Sequence, residues 1–146
     1  MCSCKRVFID ANIFIDANDD SRETYKKSLS ILDYLVSQQI SIYTSCDLIT
    51  TIYYILSKKD KLKALSSIEQ LNKICKIIDF SNKDVAKTCA LMRDDTDYTD
   101  LEDTMQYILA KRENCEMIIS NDKRFISKDI PLFTSIEFCE KFINQI

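Results

Sequence analysis

The sequence predicts an α/β fold built on a central, mostly parallel sheet of four to five strands, and three observations predict it. Helical and strand-like patterns alternate along the whole chain. The first strand, within residues 6–16 (RVFIDANIFID), is a short apolar run that stops on Asp10. A later strand, residues 116–120, ends in the same manner on Ser120 and then Asp122. Short apolar runs fit strands buried on both faces, as parallel strands are. In a sheet ordered 3-2-1-4-5, strands one and four are neighbours, so Asp10 and Asp122 emerge side by side. Open α/β sheets hold ligands beyond the carboxyl ends of their strands, where the strand order reverses. The ordinary alternative for Asp10 is a helix cap.

The elements follow in order. Residues 21–37 carry Leu29, Leu32, Leu35 and Val36 at helical spacing, and residues 40–44 (ISIYT) read as the second strand. Residues 45–58 form a helix apolar on most sides, expected to be buried on the sheet. After the charged break SKKDK comes an amphipathic helix with Leu62, Leu65, Ile68, Leu71 and Cys75, then a third strand at 76–80. A helix over 82–93 is capped at Ser81 or Asn82 and turns Val85, Ala86, Cys89 and Met92 inward. Thr99 and Glu102 have the spacing of a capping box, which starts a helix at Asp100 running to about residue 113. Pro131 places the last strand, 132–134, at a sheet edge, and Ser135 caps a closing helix with Ile136, Phe138, Cys139 and Phe142.

Length and composition narrow the function. A chain of 146 residues, 46% hydrophobic, fits a single domain over 1–146 that buries about 68–70% of its unfolded surface. No apolar run reaches eighteen residues and the start MCSCKR lacks a signal-peptide core, so the expectation is a soluble, cytoplasmic protein without a membrane partner. Seven cysteines, an odd number set mostly in apolar patterns, read as reduced thiols, and Cys2 and Cys4 as terminal thiols rather than a zinc site. The absence of histidine removes Ser-His, Cys-His and His-metal mechanisms. The absence of glycine removes phosphate-cradling Gly-rich loops. A net charge of −3 argues against a protein that coats nucleic acid through a basic surface.

The chemistry that remains is carboxylate chemistry. Asp100 and Asp103 lie three residues apart on one helix face, and that helix can carry Asp103 to the crevice of Asp10 and Asp122. Asp94, Asp95 and Asp97 read as solvated charge. Two unit charges 4 Å apart repel by ~1 kcal/mol in water and ~4 kcal/mol at an effective dielectric near 20, so gathered carboxylates call for a cation. Oxygen-only donors select a hard ion, Mg²⁺ or Mn²⁺, and such a site suits phosphodiester hydrolysis.

These residues resemble the PIN-domain ribonucleases, most closely the VapC-like toxins of bacterial toxin–antitoxin systems. The resemblance rests on the opening strand-Asp-x-Asn (Asp10, Asn12), the Asp-Leu-Glu-Asp helix start (100–103), and IISNDKRF (118–125), and it spans nearly the whole chain. It implies a three-layer α/β/α fold, Mg²⁺- or Mn²⁺-dependent endoribonuclease activity on RNA, a homodimer, and inhibition by a cognate antitoxin. It implies metal-binding or catalytic roles for Asp10, Asp103 and Asp122, with Asp100 as a further metal candidate and Asn12 and Ser120 in support. The chain departs from the family at Thr51, where a second acidic residue is usual on the helix after strand two. Asp47, one turn earlier, is the only carboxylate nearby and is a supporting candidate that can serve in its place, with an ordinary alternative as the first residue or cap of that helix. The Thr51 hydroxyl is a further supporting candidate.

Lys123 and Arg124 directly follow Asp122, and Lys58, Lys59, Lys61 and Lys63 cluster after the third helix. Either group can meet RNA phosphates or simply be solvated. Tyr53, Tyr54 and Tyr107 can stack on bases or belong to the core. Three functions stay open: the metal-dependent endoribonuclease, a catalytically weakened PIN-like module that binds RNA or a protein partner, and another Mg²⁺ phosphohydrolase. Asn12 disfavours an aspartyl phosphatase, which needs a carboxylate at that position.

Overall fold

A computed structural model describes residues 3–144, so Cys2 lies outside the described residues. Five strands, β1 (Arg6–Ile9), β2 (Ser41–Ser45), β3 (Cys75–Ile78), β4 (Met117–Ile119) and β5 (Leu132–Phe133), form one sheet ordered β3-β2-β1-β4-β5. Every neighbouring pair is parallel. Val7 lies opposite Ile42 on one side and Met117 on the other, and Phe8 lies between Tyr43 and Ile118. The central position explains the unbroken apolar run: Val7, Phe8 and Ile9 are all fully buried. β5, preceded by Pro131, is an edge strand, as expected.

The connections place the crevice. The chain passes from β1 to β2 through α1 (Ala11–Ala17) and α2 (Tyr25–Ser37), and from β2 to β3 through α3 (Cys46–Leu56) and α4 (Lys61–Ile74). It returns through α5 (Asn82–Asp94) and α6 (Leu101–Arg112) to β4 on the far side of β1, and after β5 ends in α7 (Ser135–Phe138) and a π-helical turn, Cys139–Ile143. Right-handed crossovers then put α1 to α4 on one face of the sheet and α5 and α6 on the other, which makes three layers. Packing of α1 on α2 and α3, of α3 on α4, and of α5 on α6 agrees. The strand order reverses between β1 and β4, so the crevice opens over Asp10 and the residues after Ile119.

Without glycine, two helices end on other residues. Gln39 and Asn114 both adopt a φ of 57°, just past α2 and α6. Ile40 N–H donates to the Leu35 carbonyl and Cys115 N–H to that of Ala110, each at 2.9 Å, closing Schellman motifs. Because Gln carries a Cβ into the left-handed region, Gln39→Gly is expected to raise stability by about 0.5–1 kcal/mol, measured by urea unfolding; a loss would show that the Gln39 side chain contributes more than its backbone costs.

Several faces differ from expectation. α3 buries only Leu48 and Ile52 completely, while Tyr53 and Tyr54 are exposed, because an outer helix meets its neighbours along one stripe. On α4, Leu62 and Leu65 are exposed and Ala64 and Leu71 take the inner positions. α5 has the expected Ser81 cap, with Asp84 completing a capping box, but its inward residues are Asp84 and Thr88, and Val85, Ala86 and Cys89 face outward. The physical reason is the ion pair at 2.6 Å between Asp84 and Arg112 of α6, reinforced by Thr88 Oγ1 near Met105 Sδ at 3.4 Å. α7 is capped by Thr134 rather than Ser135, and Ile136 is exposed while Phe138 is buried. Cys115 and Cys139 are buried free thiols, Cys75 is half-buried and Cys89 exposed. Asp95 and Asp97 pair with Lys128 at 2.8 and 2.7 Å.

Candidate active site

β1 delivers Asp10 to the crevice and α1 begins on it. Asp10 is the N-cap of α1, its Oδ1 accepting from Ala11 N–H at 2.7 Å, while its own N–H donates to the Ile119 carbonyl at 3.0 Å. The capping reading is therefore correct, and the other carboxylate oxygen remains for the crevice. That oxygen, Oδ2, accepts from Ser120 Oγ at 2.6 Å and from Asn12 Nδ2 at 3.2 Å. Burial pushes the Asp10 carboxyl above the usual carboxylate range; the Ser120 and Ala11 hydrogen bonds oppose this, and the neighbouring Asp122 charge adds to it.

The end of β4 supplies the second part. Ser120 Oγ accepts from Asp122 N–H at 3.1 Å and from Asn12 Nδ2 at 3.3 Å, so one hydroxyl links Asp10, Asn12 and Asp122. Asp122 Oδ1 accepts from Arg124 N–H at 2.9 Å, which closes a tight turn and points Arg124 back along the loop. Asp100, Asp103 and Arg124 line one small depression.

α6 supplies the third part, with a corrected start. The N-cap is Asp100, whose Oδ1 accepts from Asp103 N–H at 2.9 Å, and not Thr99. A carboxylate at the positive end of the helix satisfies the orphan N–H better than the threonine hydroxyl. Asp103 is half-buried, and its carboxyl is pushed up to about 7, first by burial and then by the charges of Asp10, Asp100, Asp122 and Glu102. Asp10, Asp103 and Asp122, from three separate elements, are thus electrostatically coupled.

Relieved of the capping box, Glu102 joins the acidic group. Its carboxyl is raised by burial and then by the charges of Asp47, Asp10 and Asp100. Gln106 is fully buried and donates from Nε2 to the Asp47 carboxylate at 3.2 Å. Asp47 also accepts from Ser45 Oγ. Asp47 lies in the first turn of α3, and its carboxylate bridges to α6 rather than capping its own helix. Thr51 is half-buried one turn further on; among the described residues it shares no hydrogen bond with the acidic group.

The donor set fits a hard divalent cation. The coupled donors are carboxylate oxygens, and their mutual repulsion, visible in Asp103, is what a bound cation relieves. Among the described residues no three His, Cys, Asp or Glu side chains stand close enough together to hold a metal ion as they are placed, so the fit is one of donor chemistry.

The basic and aromatic candidates separate. Lys123 and Arg124 are exposed beside Asp122. Lys59 pairs with Asp19 at 2.8 Å and Lys58 lies over the Tyr54 ring at 4.6 Å, so part of the lysine cluster has partners within the chain. Tyr107 is buried against Tyr98, with ring centroids 5.2 Å apart, and is unavailable to bases. An apolar groove of about 450 Å³ between α1, α2 and α4 contains Asp33 as its only ionisable lining residue and lacks the carboxylate grouping of the crevice. No helix among the described residues is long and apolar enough to cross a membrane.

Comparison with known proteins gives concordant results. A family model described as the PIN domain matches residues 6–124. The chain is 46% identical to Ribonuclease VapC1 of Aquifex aeolicus over 138 residues, covering 94% of this chain and 96% of that protein. Among solved structures, VapBC2 from Rickettsia felis, bound to a DNA fragment from their promoter, superposes with a TM-score of 0.64 at 20% identity, over 88% of this chain and 98% of that one. Mycobacterium tuberculosis VapC20, a sarcin-ricin loop cleaving toxin, does so with a TM-score of 0.62 at 11% identity, over 80% and 91%. At such identities the two structures speak for the fold alone.

Proposed function

The chain belongs to the PIN-domain family, and from that premise we infer that it is a metal-dependent endoribonuclease, the toxin component of a toxin–antitoxin pair. The observation that carries this reading is the coupling of Asp10, Asp103 and Asp122 across the reversal point of the sheet. The 46% identity to a named ribonuclease over almost the whole chain supports the reaction class. An antitoxin as protein partner is what the resemblance to VapC-like toxins implies, and the 46% identity to Ribonuclease VapC1 supports it. The family resemblance adds a homodimer, which sedimentation of the purified chain would test.

Asp10, Asp103 and Asp122 would hold Mg²⁺ or Mn²⁺, with Asp100 alongside. When bound, the ion supplies Lewis acidity toward the scissile phosphate. The chain's own groups do the rest. Asn12 and Ser120 fix the direction of Asp10 Oδ2, so the carboxylate does not have to reorganise during reaction. Asp47 and Glu102 add negative charge on the side where Thr51 supplies none. Lys123 and Arg124 draw in the RNA backbone.

Arg124→Ala is expected to raise KM about three- to tenfold with kcat within twofold, and to lower the salt slope of binding by about 1, because a phosphate contact acts on affinity. An unchanged KM and salt slope would leave Arg124 a solvated charge. The direct test of the function is a mixed RNA pool incubated with purified protein and Mg²⁺ or Mn²⁺, against EDTA. Internal cutting that EDTA stops is the expected result. RNA or partner binding without cutting under either ion would favour the weakened PIN-like module, which Thr51 motivates.

A further inference from the structure

The opening stretch 6–16 ends on Asp16, to which the chemistry above assigns no task. Asp16 is only 6% exposed, and a carboxylate is kept in such a place only where donors surround it. Three do so: Thr24 Oγ1 at 2.6 Å, Asn121 Nδ2 at 3.1 Å and Arg22 at 3.3 Å. Two of them come from the connection after α1, but Asn121 comes from between Ser120 and Asp122.

Asn121 is held at three points. Its side chain donates to Asp16, its Oδ1 accepts from Ser135 N–H at 2.8 Å, and its backbone N–H donates to Asn12 Oδ1 at 3.0 Å. Asn12 and Asp16 are one turn apart on the same face of α1, so α1 grips this residue twice while α7 grips it once. The flanking residues, Ser120 and Asp122, belong to the crevice. The side chain between them faces the opposite way and anchors the loop.

We propose that Asp16 is a positioning residue that, through Asn121, fixes the Ser120–Asp122 loop and so aims the Asp122 carboxylate at Asp10 and Asp103. For its activity readout this rests on the nuclease reading; its structural readout does not.

The pair can be exchanged. Asn121→Asp sets two carboxylates against each other across about 3 Å and is expected to displace the loop. Adding Asp16→Asn restores the match. The new amide nitrogen on α1 takes the Oδ2 position that Asn121 and Thr24 share, so it donates to the new carboxylate, which still accepts from Ser135 N–H. The Thr24 hydroxyl turns to accept from that nitrogen, while Arg22 donates to the amide oxygen.

The expected results are specific. Asn121→Asp lowers kcat about 10–100-fold with KM within twofold, and the exchanged double variant recovers at least about tenfold of that loss. Asp16→Asn alone, which keeps an oxygen facing Asn121, loses less. Amide hydrogen exchange followed by NMR at positions 121 and 135 speeds up at least about tenfold in Asn121→Asp and slows again in the double variant, while the β1 and β4 amides stay protected. Wild-type kcat in Asn121→Asp would overturn the proposal. So would exchange restored in the double variant without kcat, or lost protection throughout the sheet. If the wild-type protein cuts no RNA, the nuclease reading fails by itself, and exchange at positions 121 and 135 still decides whether Asp16 holds the loop.

Discussion

Asp103→Asn is expected to reduce RNA cleavage at least about 100-fold while the fold remains intact. The substitution keeps size and shape, and the Asp103 backbone N–H still donates to Asp100 Oδ1, so the start of α6 is preserved. What disappears is the one charge coupled at once to Asp10, Asp100, Asp122 and Glu102. With it goes the affinity for a divalent ion. Calorimetric titration with Mn²⁺ should therefore weaken in parallel with cleavage, and circular dichroism should be unchanged. Cleavage at the wild-type rate would remove Asp103 from the site and leave Asp10 and Asp122 without their partner from α6.

The metal-free protein is expected to lose stability as pH rises from about 5 to 8, and divalent ions should restore it most at the upper end. The folded Asp103 carboxyl ionises near 7 and the unfolded one near 3.8, so between these values the native state binds more protons than the unfolded state. Native stability then falls with rising pH. Asp10 and Glu102, both raised, act in the same direction. Asp95 and Asp129, both held below the usual range by lysine hydrogen bonds, act in the opposite direction, but only at acid pH. No histidine titrates in this window, which makes the carboxyl signal legible. Solvent reaches the half-buried Asp103 and screens it, so the fall in Tm between pH 5 and pH 8 should be on the order of 2–4 °C. Mg²⁺ or Mn²⁺ at pH 8 should reverse it, and Asp103→Asn should flatten it, both read by thermal unfolding. A Tm that climbs through this window, or ion shifts equal at both pH values, would contradict the crowding of these carboxyls.

The sequence by itself determined the sheet and the principal carboxylates. Apolar strands that stop on Asp10 and on Ser120-Asn121-Asp122 read directly because a parallel strand buried on both faces leaves its polar residues only at its ends. An order of 3-2-1-4-5 was the condition under which those two ends stand side by side, and the structure has it as β3-β2-β1-β4-β5. Tertiary structure decided the rest, wherever two local solutions had similar energy. Thr99 and Asp100 were both competent caps; Asp100 took the position, which left Glu102 out of a capping box and exposed within the electrostatic reach of Asp47, Asp10 and Asp100. The apolar stripe of α5 pointed one way, but the Asp84–Arg112 ion pair turned the helix another. Asp47 read as a helix start until Gln106, sixty residues away in round terms and fully buried, reached its carboxylate. Asp16 and Asn121 carried no local signal, since each looks like an ordinary polar residue until the other stands 3.1 Å away. Periodicity and capping preferences act over a few residues of chain, whereas long-range ion pairs and hydrogen bonds between elements exist only after the layers have packed.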